Sequence, residues 1–131
     1  YSYQYIEKTM EYVINVPFST HSREMDFCGT RTGKRVDKWE KLGLTKEKPS
    51  KVNVPLIKEF PINIECKVVK RFEIGTHMIY LGEVKAVNIE EKLLKDGKLN
   101  PLNQDQIAFI SGNYYKMSRE SIEKLGFSTK N

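Results

Sequence analysis

Between Ile62 and Arg71 the chain reads INIECKVVKR, where apolar Ile62, Ile64, Cys66 and Val68 alternate with polar residues. A period of two predicts a half-buried strand. Glu73-Ile74-Gly75-Thr76 supplies a turn, and His77 to Ile89 returns as a long strand, so the middle of the chain is predicted to be a β-hairpin. The N-terminal stretch YSYQYIEKTMEYVINVP carries a different period. Ile6 and Met10 recur at i, i+4 and Ser2 is placed to cap, which predicts a helix ending near Thr9 or Glu11. Tyr12 to Val16 is apolar almost throughout and stops at Pro17, the pattern of a strand buried on both faces.

The remaining segments are shorter. Ser19 or Ser22 starts a predicted short helix through Met25 and Phe27 that Gly29 ends, and Asp37 caps a second one that stops at Gly43. Thr30 to Arg35 between them is a polar loop. The following TKEKPSKVNVPLIKEFP holds three prolines and is expected to run extended over the surface. Glu90 to Lys95 reads as a helical turn before Asp96-Gly97, Ile107 to Ile110 as a last short strand, and Ser118 to Leu125 as a last short helix ended by Gly126. With no internal repeat, these elements describe one mainly β domain, a β-barrel or an α+β sheet with short helices packed around it.

Composition narrows the picture. The 131 residues are 39% hydrophobic, enough for one core, and contain no apolar run long enough to span a bilayer. The chain opens without an apolar secretory segment, so the expectation is a cytoplasmic protein with no membrane partner. Cys28 and Cys66 lack a CxxC spacing and are expected to be reduced thiols, with no metal site. The net charge of +5 comes from lysines that are scattered along the sequence. That balance fits a solvated basic surface or a small phosphorylated ligand, and no nucleic-acid signature accompanies it.

Four places carry candidate chemistry. His77 opens a strand, where an imidazole could serve as a ligand contact or proton donor, or simply satisfy a turn; His21 reads as a surface helix residue. Gly82 interrupts the same strand, which marks either a bulge or the close approach of a ligand or another backbone. In CGTRTGKRVDKW, Gly29 and Gly33 stand with Arg31, Lys34, Arg35 and Lys38 near one helix start, a set that suits phosphate capture or a solvated loop but lacks the P-loop spacing. Trp39 follows directly, as core filler or aromatic cover. In SGNYY, Tyr114 and Tyr115 follow a glycine turn and could stack on a planar ring or form a packed lid.

In order and spacing, YSYQYIEKTMEYVINVP, DFCGTRTGKRVDKWEKLGL, PLIKEFPINIECKVVKRFEIGTHMIYLGEV and ISGNYYKM resemble the flavin reductase family with the FMN-binding split-barrel fold, near its flavoredoxin-like branch. The resemblance implies a six-stranded antiparallel split barrel, a homodimer, FMN held without a covalent bond, and NAD(P)H as co-substrate passing hydride to the flavin. The acceptor would be free flavin, a ferric chelate or a partner oxygenase. It implies a catalytic role for His77, which matches the histidine of the family's Gly-Asp-His strand; Thr76 stands where the family carries the acidic residue. It implies cofactor contacts for Ser2 at the start of a helix beside the flavin phosphate, for Cys28 and Gly29 at the rim, for Lys38 and Trp39 in place of the family's Lys-Phe, and for Tyr115. Family members carry further strands ahead of this helix, so residues 1–131 are read as the C-terminal two-thirds of such a domain. A flavin-binding electron carrier without NAD(P)H turnover is the alternative that the change at Thr76 leaves open.

Overall fold

The computed structural model describes residues 1–100, 103–118 and 120–129. Helix α1 (Ser2–Thr9) ends because Met10 takes the left-handed conformation at φ 53°, and its amide donates back to the Ile6 carbonyl. Strand β1 (Glu11–Val16) then pairs antiparallel with β4 (Ile62–Ile74), which pairs in turn with β5 (His77–Ile89). The predicted hairpin is therefore present and longer than expected, since pairing runs to the tip: Ile74 faces His77 across the two-residue turn Gly75-Thr76. Gly75 holds φ 58° there, a value that glycine reaches without a Cβ clash.

The two faces of this three-stranded sheet are unlike. Glu11, Asn15, Asn63, Glu65 and Asn88 bond to one another or to the segment between residues 50 and 60. The proline content of that segment predicts an extended run over the surface. Instead Val52, Leu56 and Phe60 are buried, and Lys46–Glu47 (β2) pairs with Leu56–Ile57 (β3). Its prolines interrupt any long ladder, so its amide hydrogens are taken up by side chains of the sheet. Glu65 is 0% exposed. Its carboxylate accepts from the backbone amides of Ser50, Lys51 and Val52 at 2.9, 2.6 and 3.1 Å, from the Ser50 hydroxyl at 3.0 Å and from Asn88 Nδ2 at 2.8 Å. Glu11 Oε2 takes the next amide, that of Asn53, at 2.8 Å.

On the opposite face Val16, Ile62, Ile64 and Ile89 pack with Phe18 and Leu93 into the core cluster. Beyond that cluster the apolar pattern runs on uncovered: Ile14, Val84 and Val87 are each about half exposed. The expectation that β1 is buried on both faces therefore fails at Ile14, because the described residues cover that face only at one end.

Several local expectations change. Helix α2 (Ser22–Thr30), preceded by a 3-10 turn at Ser19–His21, runs through Gly29, and its last amide bond comes from Arg31. His21 is half-buried with its ring 5.2 Å from Phe60, not a free surface residue. Helix α3 (Lys38–Leu42) is bounded as predicted, with Asp37 accepting from the Trp39 and Glu40 amides and Gly43 at φ 64°. Leu94–Lys95 and Lys98–Leu99 (β6, β7) form a small ladder about Asp96-Gly97. Ile107–Ile110 (β8) pairs with Asn113–Lys116 (β9) about Ser111-Gly112, both with positive φ. The last helix does not form: Ser118 and residues 120–125 have no helical structure, and Arg119 lies outside the described residues. Ile122 and Leu125 are 97% and 106% exposed, so no packed face supports a helix there.

Candidate functional site

His77 sits exposed at the tip of the long hairpin, with Nδ1 3.1 Å from the Thr76 hydroxyl. The neighbouring wall is α1. Tyr3 and Ile6 from the helix, with Glu73, His77, Met78 and Tyr80 from the hairpin, line an open cleft of about 430 Å³. Helical spacing explains the wall: Tyr3, Ile6 and Glu7 lie on adjacent positions of one helix face. Glu7 fastens that face to the sheet, receiving the Arg71 guanidinium on Oε2 and the Tyr80 hydroxyl on Oε1 at 2.7 Å. Arg71 and Tyr80 are direct cross-strand partners, so one carboxylate holds both arms of the hairpin.

Burial, and then donation to Glu7, push the Tyr80 phenol up to about 12. The Glu7→Gln variant is accordingly expected to lower the titration of one tyrosine, read at 295 nm and assigned by its loss in Tyr80→Phe. An unchanged titration would show that Glu7 does not hold the phenol.

Cys28, Gly29, Lys38 and Trp39 lie on α2 and α3, and the loop between these helices meets the start of α1. Lys38 Nζ donates to the Cys28 carbonyl at 2.5 Å, closing the loop between α2 and α3. Lys46 stands 5.4 Å from the Trp39 ring centroid. The Tyr1 ring lies over Gly33, where an added Cβ would fall 2.6 Å from it. Tyr114 donates to Asp26 of α2 at 2.9 Å, which ties the β8–β9 hairpin to the same region.

The structure adds local detail at four of these residues. Ser2 is the first helical residue and makes no capping bond; Tyr1 is the cap. Gly29 is an exposed helical residue with open space around it. Lys38 gives one of its three ammonium hydrogens to a backbone carbonyl. Tyr114, not Tyr115, makes the docking contact, and Tyr115 is half exposed. Cys28 and Cys66 are both free thiols, with burial pushing the Cys28 thiol up. Among the described residues no direct contact joins His77 to Cys28, Lys38, Trp39 or Tyr115, and no cluster of metal-ligating side chains exists.

Gly82 has a structural explanation. A register shift in the pairing falls between Val68 and Lys70, opposite this glycine, and a Cβ at Gly82 would lie 2.2 Å from the Tyr12 hydroxyl. The bulge reading holds, and the group that approaches closely is a tyrosine side chain, not a ligand or another backbone. Sequence reasoning missed Glu7, Tyr3, Glu73 and Tyr80, because Glu7 meets partners 64 and 73 positions away.

The flavin reductase like domain model matches residues 1–118, and the chain belongs to that family. Among solved structures, flavoredoxin of Desulfovibrio vulgaris (Miyazaki F) is 31% identical with a TM-score of 0.86, covering 99% of this chain and 70% of that one. A Shewanella frigidimarina protein with a split barrel domain is 22% identical with a TM-score of 0.78, over 95% and 64% of the two chains. The fold is accordingly that of the split-barrel flavin reductases. A ferric-chelate reductase (NAD(P)H) of Archaeoglobus fulgidus is 32% identical over 76 residues, 57% of this chain and 43% of that protein. The chain spans about half the length of the curated relatives it matches, from 43% to 69% of each.

The side chains suit a flavin. Tyr3, Ile6, Met78 and Tyr80 offer aromatic and apolar walls for a planar ring. Arg31, Lys34 and Arg35 are exposed and form no ion pair among the described residues, on a loop joined to the start of α1 through Tyr1 and Gly33. Among the described residues no helix is long and apolar enough to cross a membrane.

Proposed function

We propose that this chain forms the greater part of an FMN-binding oxidoreductase that takes hydride from NAD(P)H and passes reducing equivalents to a ferric chelate, free flavin or a partner oxygenase. The observation that carries this reading is the cleft in which the exposed His77 stands beside Tyr3 and Tyr80, in a chain of this family. The ferric-chelate reductase named for NAD(P)H among its relatives supports the choice of donor. Bound flavin supplies the hydride-accepting ring; the protein holds and orients it. Tyr3 and Tyr80 would hold the planar ring, and the cations at Arg31, Lys34 and Arg35 would receive the phosphate. His77 has Nδ1 engaged by Thr76, which leaves Nε2 for a polar atom of the ligands at the rim. Ser2, Cys28, Gly29, Lys38, Trp39 and Tyr115 belong to the cofactor end of the same assignment. A cytoplasmic homodimer completes the proposal, supported by half-exposed Phe72, Ile79 and Leu81 on the hairpin.

The test is a visible spectrum of the purified protein with added FMN, followed by anaerobic mixing with NADH and with NADPH. Bleaching of bound flavin is expected. In His77→Ala the bleaching rate should fall by about 10- to 100-fold while the FMN dissociation constant changes by less than about threefold. Equal loss in both would remove His77 from the hydride-transfer rim. The uncharged Thr76 beside His77 favours a second reading, a flavin-binding carrier without NAD(P)H turnover, and flavin that stays oxidised on mixing would select it.

A further inference from the structure

The lysines are not evenly spread. Residues 41–58 hold five Lys against one Glu, a net +4 in a chain that carries +5. Everything outside this arm is therefore close to neutral, at +1. The arm is tied down along its length. Lys58 donates its amide to Thr45, Lys46 lies over Trp39, β2 pairs with β3, and Glu65 and Glu11 hold residues 50–53 to the sheet beneath. All five of its lysines are exposed, and none takes part in an ion pair among the described residues. Like charges held on one short arm repel one another, and a partner of opposite charge relieves that cost.

We infer that this basic arm is a docking surface for an acidic protein, seated beside the candidate site that Lys38 and Trp39 border. The inference deepens the proposed function only by naming the chemistry of its protein partner. Charge complementarity of this kind steers encounter and fixes orientation. The arm does not suit nucleic acid. The indole of Trp39 beside it is half-buried under Lys46 and offers no platform for successive bases, and α3 has only five residues, too short to read a groove.

The test uses the full chain without flavin, so it stands apart from the bleaching experiment: a positive result here with no bleaching there would remove the redox chemistry and keep the surface. A fluorescently labelled acidic [2Fe–2S] ferredoxin is titrated by anisotropy, with a basic c-type cytochrome and a short DNA duplex as controls. Binding of the ferredoxin at about 20 mM salt is expected to weaken about tenfold or more at about 200 mM. The combined Lys41→Glu, Lys48→Glu and Lys58→Glu variant should weaken it by a similar factor. The corresponding glutamine variant, checked for an unchanged melting temperature, guards against a folding defect and should lose about half as much in logarithmic terms. No ferredoxin binding at low salt, affinity untouched by both variants, or duplex DNA binding as tightly as the ferredoxin would each overturn the inference.

Discussion

Glu65→Ala is expected to destabilise the fold by about 3–5 kcal/mol, measured by urea unfolding near neutral pH. The carboxylate is fully buried and faces no cation; three consecutive amides, a hydroxyl and the Asn88 amide nitrogen donate to it. Removing it strands those donors beneath a segment that cannot re-form a ladder, since Pro49 and Pro55 bracket it. Glu65→Gln keeps one accepting oxygen and should lose roughly half as much. The same geometry sets an acid limit. Burial alone would raise the carboxyl, but donation from Ser50, Asn88 and Lys51 outweighs it and pulls the group from the usual 4.5 to about 2. A lowered folded value means that the stabilisation is complete above about pH 4.5 and is lost as the pH falls toward 2. On the order of 3 kcal/mol should disappear across that window in the wild type and be missing from Glu65→Ala. Glu11 and Glu59, also held below the usual carboxylate range, leave a smaller acid slope in the variant. Equal acid slopes in the two proteins would show that Glu65 does not anchor the arm.

Gly82→Val is expected to cost about 1–3 kcal/mol through overpacking. The position has no positive φ to defend; space is the constraint. A Cβ there would stand 2.2 Å from the Tyr12 hydroxyl oxygen and 2.7 Å from the ring carbon bearing it. Tyr12 is directly across from Cys66, and burial together with the Cys66 thiol raises its phenol, so the ring has a defined seat to lose. Truncating the ring should remove the conflict: Gly82→Val in a Tyr12→Ala background should cost less than about half of its effect in the wild type. Additive costs in thermal or urea melts would mean that the ring swings aside freely and that Gly82 has another role.

Both predictions concern residues whose importance the sequence announces unevenly. Gly82 stands out because glycine is foreign to a strand, although its partner, Tyr12, is 70 positions away. Glu65 looks like one more polar residue in an alternating strand, with nothing to separate it from Lys67 or Arg71. The site shows the same division. His77, Cys28, Lys38 and Trp39 are visible as residue types in a family pattern, and the fold gathers Cys28, Lys38 and Trp39 at the loop between α2 and α3. The cleft wall was not visible. Tyr3 and Ile6 read only as helical periodicity, and Glu7 as a solvated acid, until the hairpin tip is set against α1.

By itself the sequence determined what local physics determines. The alternation of Ile62, Ile64, Cys66 and Val68, the turn at Gly75-Thr76, and the Asp37 cap and Gly43 stop of α3 each rest on contacts within a few residues. It also determined the family, through motifs in a fixed order. Tertiary structure alone decided that the proline-bearing arm is pinned by buried carboxylates and that the described residues 118 and 120–125 take no helical form. In each case the deciding interaction joins residues far apart in the chain or depends on a packed face, and neither spacing nor composition encodes such a contact.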